Sequence, residues 1–176
     1  MEEELIIACP ISIHGAGQDK TILQRHGIKI QGTKEEKKRV NMQGMNIKRS
    51  SQSGFFASNG LSFLCKDMTF TQCAGGVLAV NTKGRLINCV ITQCRYSGIY
   101  CGSNALIEVE GDQTKVDGNV TSGVRVSRVV RGDLRQAPFT KRSVNNFIEI
   151  QNVTFAKKHG SLGNTGFREI SSRENQ

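Results

Sequence analysis

The chain has 176 residues, 37% of them apolar, with 19 glycines, two prolines, no tryptophan and a formal net charge of +9. That length sets one domain as the expectation, and the thin apolar content argues against a wide globular core. No run approaches the roughly 20 apolar residues of a membrane helix, and the acidic start, Met1 to Glu4, lacks the basic and apolar regions of a secretory signal, so the chain is expected inside the cell with no membrane partner.

The first segment, Leu5-Ile6-Ile7-Ala8-Cys9, is followed by Ile11-Ser12-Ile13, a break on Gly15 and Gly17, and a strand resuming at Thr21-Ile22-Leu23. Alternation of apolar and polar residues predicts strands here. Gly27-Ile28-Lys29-Ile30 predicts another, and the charged run Lys34 to Arg39 reads as a solvated loop or short helical turn. From Val40 to Gly123 the pattern repeats. Ile47, Phe70, Ile91 and Val116 hold matching positions 23, 21 and 25 residues apart, each followed by a glycine seven or six residues on. A unit of about 20–50 residues means stacked supersecondary structure, and this one is too short for two helices.

Each repeat contains two or three strand-like runs. The second repeat of the Gly-flanked motif gives Val77-Leu78-Ala79-Val80 and Arg85-Leu86-Ile87, and Asn59-Gly60, Lys83-Gly84 and Ser103-Asn104 are turn formers between such runs. The expected fold is therefore all-β, a right-handed parallel β-helix of about five to six coils. Parallel stacking at about 4.8 Å lets each coil bury the apolar side chains it cannot bury alone. Ile47, Phe70, Ile91 and Val116 form one expected core column, and Ser50, Cys73, Cys94 and Asn119 an adjacent ladder whose polar members bond turn backbones. After Gly123 the pattern loosens: Val124 to Arg131 alternates as a strand, Gly132 to Ser143 reads as a loop, and Phe147 to Phe155 restores the motif as a final coil. Residues 1–156 are assigned to the β-helix and 157–176 to a polar, loose tail.

The motif Ile11-Ser12-Ile13-His14-Gly15-Ala16-Gly17-Gln18-Asp19-Lys20-Thr21-Ile22-Leu23, with later coils such as Asp67-Met68-Thr69-Phe70-Thr71-Gln72-Cys73, resembles the opening and generic coils of the pectin-lyase-like superfamily of parallel β-helices. The resemblance spans most of residues 5 to 155. It implies a fold and leaves function open, because that superfamily includes polysaccharide lyases, hydrolases, methylesterases and phage tailspikes beside non-catalytic recognition modules.

Six cysteines, Cys9, Cys65, Cys73, Cys89, Cys94 and Cys101, fall in strand-like runs. Their spacing lacks the C-x-x-C pairs of zinc sites, so they read as free thiols packed as small apolar side chains, and no metal or other cofactor is expected. Polysaccharide-cleaving relatives would need two carboxylates within a few ångströms. Glu108 and Glu110, two apart, share an outer face, where such a pair could bind calcium or act as acid and base; the plainer reading is a solvated strand face. Asp67, Asp112, Asp117, Asp133 and Glu149 are the other coil acids. Lys158-His159-Gly160 only faintly resembles the Gly-His-Gly of pectin-cleaving hydrolases, and His14 and His26 read as turn histidines. No catalytic residue is assigned.

Charge concentrates from Lys115 to Arg142, where seven basic residues face Asp117 and Asp133. Arg125, Arg128, Arg131, Arg135, Lys141 and Arg142 are the expected binding residues. Nucleic acid is disfavoured as a partner because the aromatics are assigned to core slots rather than to stacking. The leading expectation is a non-catalytic module binding a protein partner on a lateral or basic face. A carbohydrate-active enzyme or binder for an acidic glycan is second, and a viral or phage structural protein third. Open solenoid ends call for caps, a homo-oligomer or a longer chain.

Overall fold

A computed structural model describes residues 4–32, 39–103, 105–127, 132–133 and 153–154, the last strands by their backbone. Strands are numbered in chain order. The first sheet holds β1 (Leu5–Ile7), β4 (Ile28–Gln31), β7 (Ser53–Ser58), β10 (Gly75–Val80), β13 (Ser97–Gly102) and β16 (Ser122–Ser127). The second holds β2 (Ser12–His14), β5 (Arg39–Gln43), β8 (Ser62–Lys66), β11 (Lys83–Ile87) and β14 (Leu106–Glu110). The third holds β3 (Ile22–Gln24), β6 (Asn46–Lys48), β9 (Thr69–Thr71), β12 (Val90–Thr92) and β15 (Lys115–Asp117). Every pairing is parallel and joins strands three apart in the chain, so the backbone winds through all three sheets once per turn. The result is an all-β parallel solenoid of about five turns, with β16 opening the next. A further parallel pair joins β17 (Gly132–Asp133) to β18 (Val153–Thr154).

The register is the one the repeat predicts. Ile47 pairs with Phe70, Phe70 with Ile91 and Ile91 with Val116, and all four are fully buried. Similar columns run through Ile28, Phe55, Val77, Ile99 and Val124 and through Met42, Cys65, Leu86 and Val109. Side-chain volume is matched between layers as well as in type. Phe63 pairs with Gly84, and a Cβ added there would lie 2.0 Å from Phe63 Cζ. The glycine is thus the space into which the Phe63 ring extends, while that ring stacks on Phe55 with centroids 4.8 Å apart.

Three corners turn the chain, and each repeats the same backbone device. Asn59 and Asn81 after the first sheet, Asp67 and Asn88 after the second, and Arg49, Gln72 and Gln93 after the third all have φ between 48° and 57°. A left-handed residue with a side chain costs on the order of 1 kcal/mol. It also aims the amide along the solenoid axis. Asn59 N donates to Val80 O at 3.1 Å, Asp67 N to Ile87 O at 2.9 Å, and Gln72 N to Thr92 O at 3.2 Å. The inter-coil ladder therefore continues around every corner. In the fifth coil Gly118, φ 64°, takes the slot of Arg49, Gln72 and Gln93, where a glycine carries no such cost.

The expected ladder of Ser50, Cys73, Cys94 and Asn119 is buried. Its polar members bond turn backbone as expected: Ser50 Oγ donates to Ser53 O at 3.1 Å, while Asn119 Oδ1 accepts from Cys94 N at 2.9 Å and Asn119 Nδ2 donates to Ile91 O at 3.2 Å. The cysteines are all free, and five are buried. Cys73 Sγ lies 3.6 Å from Ile47 O and Cys89 Sγ 3.4 Å from Cys65 O, weak donations to the preceding coil. Cys9 departs from the expectation and is exposed. The inward side chains of the first coil are covered from one side only, which leaves Leu5 46% exposed against 2% for its register partner Ile28. Arg39, expected in the charged excursion, belongs to β5 and pairs with Ser62. The rest of that excursion and the tail from residue 157 lie outside the described residues, as does the expected final coil except for Val153–Thr154.

Two outcomes test this packing. Gly84→Ala should lower stability by about 1–3 kcal/mol through overpacking, read from the urea midpoint, and combining it with Phe63→Leu should recover part of the loss; an unchanged midpoint for the single variant would refute the column. Burial pushes the thiols of Cys89, Cys94 and Cys101 up to about 12 from an ordinary 9.0. A raised folded value means that the unfolded chain ionises first. This contribution is full below pH 9 and falls away as pH rises towards 12. Cys101→Ala, which matches its column neighbours Ala57 and Ala79, should make that alkaline decline shallower, and a thiol reagent should label one of six cysteines in the native protein, Cys9.

Candidate binding face

Parity along each strand decides which residues reach solvent. In the first sheet Phe55, Val77, Ile99 and Val124 face the core, so their neighbours face out. Register then brings Ile6, Lys29, Phe56, Leu78 and Tyr100 into one row along the solenoid axis, with Arg125 as the next position. Ile6 is 54% exposed and Lys29, Phe56, Leu78 and Tyr100 are half-buried against one another. Lys29 Nζ stands 5.9 Å from the centroid of the Phe56 ring, a cation–π contact. Small residues beside the row let the large ones lie flat. A Cβ on Gly75 would meet Leu78 Cδ1 at 2.7 Å, and one on Gly102 would meet Tyr100 Cε1 at 2.9 Å. The row is thus an apolar, aromatic stripe with one cation, Lys29, between Ile6 and Phe56, and with Arg125 as the next register position after Tyr100.

This stripe corrects the expectation that the aromatics fill core slots. Phe55, Phe63 and Phe70 do so, but Phe56 and Tyr100 line the lateral face, and Tyr96 stands in a corner, 53% exposed beside Arg95. The run Phe55-Phe56-Ala57 gave no alternation from which to choose a face. The sequence reading also overlooked a charge feature that counting alone finds. From Arg39 to Ile107 seven lysines and arginines stand against one acid, Asp67. Asp67 itself accepts a hydrogen bond from Gln43 Nε2 at 3.2 Å. The middle coils are therefore a cationic band.

Of the expected binding residues, Arg125 is placed by its backbone in β16, in register with Tyr100. Arg128, Arg131, Arg135, Lys141 and Arg142 lie outside the described residues. Glu108 and Glu110 do share the outer face of the second sheet. Their neighbour is Arg85, the register partner of Glu108 on the preceding coil. The Arg85 guanidinium clasps Glu110 with Nη2–Oε2 at 2.6 Å and Nε–Oε1 at 2.9 Å, and its Nε lies 3.6 Å from Glu108 Oε2. Two carboxylates within a few ångströms are what a polysaccharide-cleaving site would need. Here the arginine forks onto Glu110 and also approaches Glu108, on the outer face of the second sheet.

The remaining candidates lie elsewhere on the coils. His14 is exposed on β2, His26 is half-buried in a corner, and Asp112 is exposed in a turn. Asp117 Oδ1 accepts from Gly118 N at 2.8 Å, and Asp117 Oδ2 lies 3.7 Å from Lys115 Nζ. Among the described residues no three His, Cys, Asp or Glu side chains group closely enough to hold a metal ion. Compared with protein-family models, curated proteins and solved structures, the chain matches none.

An exposed ion pair of this kind contributes little to stability. Arg85→Ala and Glu110→Gln should each shift unfolding by less than about 1 kcal/mol, measured by urea denaturation in low salt. A loss of several kcal/mol would show that the three charges are a structural centre rather than a solvated cluster.

Proposed function

We propose that this chain is a non-catalytic recognition module that holds a protein partner along the outward face of its first sheet. The basic stretch from Arg125 to Arg142, on its charge alone, belongs to the same proposal. The observation that carries this reading is the in-register stripe of Phe56, Leu78 and Tyr100. Among the described residues it stays partly exposed, and contiguous apolar surface rimmed by polar residues marks interaction sites. Tyrosine, phenylalanine and arginine are the side chains that interface centres favour. We further infer kinship with the pectin-lyase-like β-helices, on the Gly-flanked coil motif and the parallel solenoid that it builds. Five buried free thiols suit a reducing compartment, which supports an intracellular setting. A second reading, a binder of acidic polysaccharide, draws support from the cationic band of the middle coils.

Peptides selected from a displayed random library on the wild-type protein should lose most of their binding to Tyr100→Ser and keep it on Thr92→Ser, an outward change in the third sheet. Selected peptides indifferent to Tyr100→Ser would move the binding surface elsewhere. Incubation with polyuronates should release no unsaturated or reducing ends; cleavage would sink the non-catalytic reading.

A further inference from the structure

We infer that the corner after the third sheet, at Arg25 and Arg49, is a site for a phosphate monoester. It is separate from the first-sheet stripe and needs no part of it. One residue per coil holds the same slot there: Arg25, Arg49, Gln72, Gln93 and Gly118, all with φ between 56° and 70°. Each follows a strand residue in register, through Gln24, Lys48, Thr71, Thr92 and Asp117. The side chains make a second ladder along the axis. Arg49 Nε donates to Gln72 Oε1 at 3.1 Å, and Gln72 Nε2 donates to Gln93 Oε1 at 3.3 Å. A guanidinium only donates, so Arg49 fixes which way the Gln72 amide lies and with it the direction of the row. The step from Arg25 to Arg49 instead sets donor against donor. Both side chains are exposed cations on neighbouring coils, about 4.8 Å apart along the axis at the backbone.

Lys48, next to Arg49 in the chain and half-buried, adds a third positive charge. Among the described residues none of these three cations takes part in an ion pair. The outward acid of the third sheet, Asp117, lies three register steps beyond Lys48 and already meets Lys115 Nζ and Gly118 N. A tetrahedral oxyanion supplies what the Arg25–Arg49 step lacks, acceptor oxygens for both guanidiniums at once, and such charge-assisted bonds are the strong ones. Three cations favour a dianion. A phosphate monoester carries about −1.5 to −2 charge at neutral pH and three acceptor oxygens, whereas a sulfate monoester carries a single charge. Because Arg25 and Arg49 face solvent, the ester oxygen can carry its substituent outward.

The probe is a phosphoserine flanked by glycines in a peptide with blocked ends, titrated into isotope-labelled protein at constant ionic strength. Its twin carries a serine sulfate ester. The phosphopeptide should shift the Nε–H signals of Arg25 and Arg49 together, and more than that of Arg95. The sulfate twin should bind at least about fivefold more weakly. Arg25→Gln puts an acceptor beside Arg49 and should weaken the phosphopeptide about tenfold. Lys83→Gln, which removes an exposed cation from the second sheet, should leave binding unchanged. Equal losses in the two variants would reduce the attraction to diffuse charge and overturn the site, as would an absence of shifts at Arg25 and Arg49. Equal binding of the twins refutes the preference for a dianion. Inorganic phosphate that binds where the phosphopeptide does not refutes the ester. If the phosphopeptide binds only once Glu2, Glu3 and Glu4 are replaced by glutamine, the chain's own carboxylates are the acceptor and the inference fails.

Discussion

The hydrogen bonds that join each coil to the next decide almost everything else in this protein. A coil of 21 to 25 residues cannot enclose its own apolar side chains, so a single coil has no core. Parallel pairing at a fixed spacing puts Ile47 over Phe70, Phe70 over Ile91 and Ile91 over Val116. It also fixes what cannot be adjusted afterwards. With side chains alternating every residue, a slip of one would expose every core column. The corners preserve the ladder at the cost of left-handed residues, whose amides Asn59 N, Asp67 N and Gln72 N each donate to the coil above.

The same register makes the surface. Outward residues that are 22 to 27 places apart in sequence become neighbours: Lys29, Phe56, Leu78 and Tyr100 on one face, Arg85 and Glu108 on another. The two faces differ in what they leave unsatisfied. On the second sheet the charges answer one another, since Arg85 forks onto Glu110. On the first sheet the apolar row, among the described residues, packs on its own neighbours and the small residues beside it. On the proposed function, a face whose charges are already paired offers little to a partner, whereas the apolar row beside Lys29 offers contact area.

How much of this was legible in the sequence follows from what kind of information each feature needs. The column at Ile47, Phe70, Ile91 and Val116 and the ladder beside it could be read because each motif is local and repeats before a glycine. The corner residues were harder. Arg49, Gln72 and Gln93 adopt a conformation that their chemistry does not advertise, and only Gly118 shows it in type. The outward placement of Phe56 was hidden because it sits in an unbroken apolar run, where periodicity has no polar residue to set the face. The partner of Glu108 and Glu110 was hidden for a different reason: Arg85 is 23 residues from Glu108 and meets it only once the coils are in register. The shortage of acid between Arg39 and Ile107 needed no structure at all, only a count over a window other than the C-terminal one.

The account rests on Phe56 and Tyr100 pointing away from the core in one axial row. Through-space proton contacts in solution measure that directly. The account predicts a chain of cross-peaks from the Lys29 side chain to the Phe56 ring, from that ring to the Leu78 methyls, and from those to the Tyr100 ring, with Phe55 instead touching Phe63 and Phe70. Cross-peaks from the Phe56 ring to Phe63 or Phe70, with none to Leu78, would mean that the register is shifted by one and that the stripe does not exist.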